Sequence, residues 1–145
     1  MTIWQFQRLL SMRLLAWNIL NFTAGLILLL TKHRFLQGIG SQFAGWSFIN
    51  VLIANFGAIS AARRERTLDN AHTPERRTRE AQNLKRLLWV NAGLDVLYMV
   101  GGLLLLVRKN AGERTRGAGI GVIFQGAFLL TFDVIQANNV PDQSE

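Results

Sequence analysis

Two acidic residues, Asp95 and Asp133, lie inside long apolar runs; Asp95 is the sharper of them, and no two carboxylates are placed convincingly in one cleft. Asp95 sits about 12 Å of helix beyond Arg86, too far for an extended side chain to reach a polar boundary. An Asp at the centre of a membrane costs about 2.5–3.5 kcal/mol on insertion scales. One reading of Asp95 is therefore a proton or cation site. The other is a neutral or paired acid held in a structural network with Asn18, Asn21 or Asn91. Asp133 is followed closely by Gln136, Asn138 and Asn139, and its simplest placement is at a polar interface.

Other chemistries lack their residues. The chain has no cysteine, which removes thiol catalysis and thiolate metal sites. His33 and His72 fall in connections on opposite faces, so they cannot jointly hold zinc or haem. No HExxH or GxSxG motif occurs. The stretch Gly117-Ala-Gly-Ile-Gly121 lacks the preceding strand and following Lys of a phosphate loop, and reads as a helix-packing surface. We expect no enzyme, no metal and no cofactor. The net charge of +7 does not point to nucleic acid, because the basic residues border apolar runs and follow no aromatic-interleaved pattern. Anionic lipid head groups are the expected partner.

The elements that must position these residues are four apolar segments, at about 14–31, 43–62, 87–107 and 118–136, each long enough to cross a bilayer as a helix. A soluble bundle would carry charge along one face of every helix, whereas here the charge is confined to the connections. The fold class expected is all-α: one integral-membrane four-helix bundle over residues 1–145. No cleavage site follows Leu30, so the first span is expected to remain in the mature protein.

Polar and small residues mark the inward faces. An intramembrane network of Asn18, Asn21, Asn50, Asn91, Asp95, Tyr98, Gln125 and Asp133 is expected, with close helix packing at Gly25, Gly57, Gly101, Gly102, Gly117 and Gly121. Trp17, Trp46 and Trp89, and also Trp4, read as interfacial anchors.

Arg8 and Arg13 share a face with Arg63, Arg64, Arg66, Arg76, Arg77, Arg79, Lys85 and Arg86. The opposite face holds Lys32, Arg34, Arg108, Lys109, Arg114 and Arg116, so the bias places both termini in the cytoplasm. The 63–86 connection reads as a cytoplasmic helical extension. The second helix is prolonged to Leu68, Asp69 to His72 turn, and a new helix starts at Thr73-Pro74 with support from pairs such as Glu75–Arg79.

The two hairpins also look related. Gly25-Leu-Ile-Leu-Leu-Leu-Thr-Lys32 aligns with Gly102-Leu-Leu-Leu-Leu-Val-Arg-Lys109, which sets Asn18 against Asp95. A register shifted by one in the second helices sets Ser47 against Gln125 and Asn55 against Asp133. Chance similarity of leucine-rich segments is the competing explanation.

The segments Asn91-Ala-Gly-Leu-Asp-Val-Leu-Tyr98 and Gly119-Ile-Gly-Val-Ile-Phe-Gln-Gly-Ala-Phe-Leu-Leu-Thr-Phe-Asp133 resemble a family of small bacterial membrane proteins classed as a domain of unknown function. The resemblance implies four helices in a bacterial inner membrane and no particular activity. Small multidrug exporters share the size, but carry a Glu in the first helix where this chain has Asn18 and Asn21. The leading expectation for function is a non-enzymatic membrane component that self-associates or serves as an accessory subunit of a larger complex. The alternative is a small oligomeric channel or proton-coupled transporter that uses Asp95.

Overall fold

A computed structural model describes residues 1–142. Four helices follow in order, α1 (Ile3–Leu29), α2 (Arg34–Thr67), α3 (Pro74–Val107) and α4 (Glu113–Asn138). Each is long and apolar enough to cross a membrane. Their outward faces are lined by large apolar side chains, among them Leu20, Ile27, Phe56, Leu97 and Leu104, all well exposed.

Local chemistry explains the helix boundaries. Thr2 and Gln5 close a reciprocal capping box at the start of α1. The Thr73 hydroxyl accepts from the Arg76 amide, with Pro74 at the first position of α3. The turn between α3 and α4 passes through Asn110 at φ 63°, a left-handed conformation that Asn tolerates better than most residues.

Packing rests on backbone contacts at glycines. α2 lies between α1 and α4, and α3 packs along α4; neither α1 with α4 nor α2 with α3 forms an extended backbone contact. A Cβ at Gly25 would lie 2.6 Å from the Ala44 nitrogen, and one at Gly119 would lie 2.6 Å from the Gly102 oxygen. Gly38 abuts the Arg114 carbonyl, and Gly117 abuts that of Phe35. Gly57 and Gly101, expected at such contacts, face open space instead. Gly38, Gly40 and Gly126, which sequence reasoning passed over, are in tight contact, as is Gly119 within the Gly117–Gly121 packing stretch.

The contacts are reciprocal. The displacement along the chain that carries Gly38 to Gly117 also carries Phe35 to Arg114, Gly40 to Gly119 and Ala44 to Ile123. Gly25 meets Gly40 and Ala44, while Gly102 meets Gly119 and Ile123. Exchanging the two hairpins thus reproduces the packing. The register differs from the expected one: Trp46, not Ser47, corresponds to Gln125, and Ala54, not Asn55, corresponds to Asp133. The cause is that α3 runs slightly further than its counterpart α1 and the turn after it is longer.

A cluster of large buried apolar side chains lies beyond the apolar segments, where the start of α1 docks on the α2–α3 hairpin. Ile3, Trp4 and Phe6 pack there against Ala71 and Ala81. Trp4, expected as an anchor in lipid, is buried, and its indole Nε1 donates to the Ala71 carbonyl at 3.1 Å. Around this cluster Arg8 pairs with Glu65 at 2.9 Å, and buried Glu80 takes both Arg64 (3.2 Å) and Arg76 (2.8 Å). The intrahelical pair that closes is Arg76–Glu80, one position on from the expected Glu75–Arg79.

Gly117→Ala and Gly38→Ala should each lower the unfolding temperature of the detergent-solubilised protein markedly. Gly57→Ala and Gly101→Ala should leave it unchanged or raise it slightly, because Ala is favoured over Gly within a helix by about 0.8–1 kcal/mol. Equal behaviour of the two pairs in thermal unfolding would contradict the packing described.

Candidate functional site

The polar side chains of the interior divide between two seams. Asn18 and Asn21 lie on the α1 side. Each turns its amide nitrogen back to its own helix, Asn18 Nδ2 to the Leu14 carbonyl at 2.7 Å and Asn21 Nδ2 to that of Trp17 at 3.0 Å. Asn21 Oδ1 accepts from Gln125 Nε2 of α4 at 3.0 Å, a fully interior bond. The rings of Trp17 and Phe128 stack beside it with centroids 3.5 Å apart, so the α1–α4 seam is filled.

The seam between α2 and α3 is built differently. The residue that corresponds to Trp17 there is Leu94, and no ring stack closes the gap. In place of the Asn21–Gln125 bond stands an edge-to-face contact of Trp46 with Tyr98, centroids 4.4 Å apart. Below it is a cavity of about 250 Å³. Asn50, Asn91, Asp95, Tyr98, Gln125 and Asp133 reach its wall, together with Trp46 and the aliphatic Leu14, Ile53, Leu94 and Leu129.

Asp95 and Asp133 both reach the wall of this cavity, where their carboxyl groups are close neighbours. A carboxylate can only accept, so two such neighbours hydrogen-bond each other only when one of them carries a proton. This corrects two expectations. Asp95 has Asp133 beside it and no hydrogen bond to Asn18, Asn21 or Asn91 among the described residues, and Asp133 is buried rather than interfacial. The α3–α4 contact brings the pair together: Gly126 lets α4 approach until a Cβ there would lie 3.2 Å from the Asp95 carbonyl oxygen.

Several polar atoms around the pair have no hydrogen-bond partner within the protein. Asp95 Oδ2, Gln125 Oε1 and Asn50 Nδ2 belong to residues that border the cavity, while Asn18 Oδ1 and Ser47 Oγ lie on the far side of α2. Buried polar atoms are normally paired, and leaving one unpaired costs about 1–3 kcal/mol. No cluster of three or more His, Cys, Asp or Glu occurs among the described residues.

The three tryptophans expected as anchors differ in their surroundings. Trp17 and Trp46 are half-buried and make the ring contacts described, while Trp89 is exposed. Asn21 with Gln125 and Tyr98 with Trp46 occupy equivalent places when the hairpins are exchanged. The acid pair does not repeat, since its counterparts are Asn18 and Ala54.

If the shared proton holds the pair together, Asp95→Asn should keep the unfolding temperature near that of the wild type, because its amide can donate to Asp133. Asp95→Leu should lower stability by about 1–3 kcal/mol by stranding Asp133. Thermal unfolding in a single detergent checks both, and equal stability of the Leu and Asn variants would contradict the pairing.

Among models of known families, that of a family of unknown function (DUF6992) matches residues 13–134. No curated protein and no solved structure matches the chain.

Proposed function

The chain belongs to the family of unknown function DUF6992, and from the geometry of its interior we propose a multi-pass membrane protein, without enzymatic activity, that binds and exchanges a proton or cation at Asp95 and Asp133. The observation that carries this is the acid pair itself, two carboxyl groups in contact on the wall of a cavity, with an unpartnered oxygen on one of them. Of the two functions open from the sequence, this supports the small transporter or channel. A purely structural interior would pair its acids with the abundant asparagines and leave no cavity beside them. Acids within membrane segments are costly and are characteristically found on ion or proton paths.

In the same reading the helices cross a bacterial cytoplasmic membrane with both termini and the α2–α3 hairpin inside, as the excess of Arg and Lys on that face directs. Anionic head groups gather at the hairpin. One bundle of four helices encloses no path across the membrane, so the working unit is a homo-oligomer. A second reading, the accessory subunit, draws on the α2–α3 seam, where the absence of extended backbone contact leaves room for a helix of a larger complex.

Dicyclohexylcarbodiimide tests the first reading, because it partitions into bilayers and adds to protonated carboxyl groups. Mass spectrometry of the reconstituted protein should find the adduct on Asp95 or Asp133, and none on these positions in the folded Asp95→Asn/Asp133→Asn variant. Absence of both adducts from wild-type protein, at a reagent excess that modifies other carboxyl groups of the chain, would favour the sealed accessory subunit.

A further inference from the structure

Resting on the acid-pair reading above, we propose that the α2–α3 cavity is a binding site for a small primary ammonium ion with an apolar body, of about the size of a one-ring amine. The volume comes first. A cavity of about 150 Å³ suffices for benzene, and this one is about 250 Å³, far more than a proton or a bare inorganic ion requires. It has room for a ring and a short amine arm.

The wall chemistry fits that shape and charge. No Lys, Arg or His lines the cavity, so its only charged groups are acids and an anionic ligand has nothing to pair with. Asp95 is more than nine-tenths buried and its Oδ2 is unpartnered; Gln125 is fully buried and its Oε1 is also unpartnered. Both are acceptors, and the Asp133 carboxyl lies beside them. A primary ammonium offers three donors. With one proton between them the two acids carry a single negative charge, which one ammonium neutralises, and a buried charge is tolerated only when paired in this way.

Aromatic side chains complete the site. Trp46 and Tyr98 border the cavity, and Trp46 is steadied by its own Nε1 donating to Gln42 Oε1 at 3.2 Å. Indole and phenol faces attract cations and pack against apolar groups. A metal ion is a poorer fit, since a hard cation takes six or more oxygen ligands in a tight shell and this wall is largely aliphatic and aromatic.

Entry is lateral. The cavity shares Trp46, Leu94 and Tyr98 with an apolar groove that continues past Leu97 and Leu105 along the α2–α3 seam. An apolar amine could thus enter from the hydrocarbon side, its body in the groove and its ammonium at the acids.

Isothermal titration of the detergent-solubilised full-length protein with benzylammonium chloride tests this, with protein-free micelles as the blank and benzyl alcohol as the uncharged isostere. Saturable binding of one benzylammonium per chain is expected. It should weaken at least about tenfold in Asp95→Asn and in Asp133→Asn, variants shown to be folded by thermal unfolding, and persist in Leu104→Ala, whose side chain is exposed away from the cavity. Benzyl alcohol should bind at least about tenfold more weakly than benzylammonium. Equal binding of the alcohol, or undiminished benzylammonium binding in both Asp variants, would overturn the proposal. Carbodiimide labelling of the acids without any benzylammonium binding would refute this ligand class and leave the proton-exchange reading standing; loss of both would remove the two together.

Discussion

Backbone contact at glycine is the constraint on which the rest of this structure depends. Apolar helices in a lipid environment gain little from burying apolar surface against one another, so they associate where backbones can approach and side chains interlock. Here Gly25 with Gly40 joins α1 to α2, Gly102 with Gly119 joins α3 to α4, and Gly38 against Arg114 with Gly117 against Phe35 joins the two hairpins. The contacts that hold the hairpins together lie toward the turns that begin α2 and α4. At the other end the docking of Ile3, Trp4 and Phe6 on the α2–α3 hairpin provides the clamp. Between these two fixed ends lies the level at which the acids meet.

Near-exchangeable hairpins put two equivalent seams on either side of the bundle, and the substitutions between them decide what each can do. On the α1–α4 side Trp17 stacks on Phe128, and Asn21 bonds Gln125. On the α2–α3 side Leu94 leaves space, Asp95 replaces the counterpart of Asn18, and Asp133 replaces that of Ala54. The same scaffold thus closes one seam with a ring stack and opens the other beside two acids. The two seams differ because the halves differ at these few positions.

Much of this was legible in the residues, and the failures have physical causes. The apolar runs and the Thr73-Pro74 start are local signals, and the structure has a helix at each. That Asp95, Asn18, Asn21 and Gln125 lie inward also follows from the cost of exposing them to hydrocarbon. Which of them touch does not follow, because it depends on helix neighbours and register. Asp95 therefore had asparagines as its expected partners and has Asp133. Asp133 looked interfacial because polar residues follow it, yet Gln136 among them is itself buried. Gly57 and Gly101 have the spacing of packing glycines but point to open space, since small size permits contact without requiring it. The burial of Trp4 had a signal that went unread, the Thr2-x-x-Gln5 capping box, which starts α1 well before the apolar run.

The central claim is that Asp95 and Asp133 share a proton that exchanges with the surrounding solution. Infrared difference spectroscopy of the protein in liposomes tests it most directly, by comparing the protonated-carboxyl absorption of the wild type with that of Asp95→Asn and Asp133→Asn as the bulk pH is varied. The account predicts a protonated-carboxyl band in the wild type that changes reversibly with bulk pH and is lost or shifted in each variant. A band that is insensitive to bulk pH, or one identical in wild type and both variants, would contradict it.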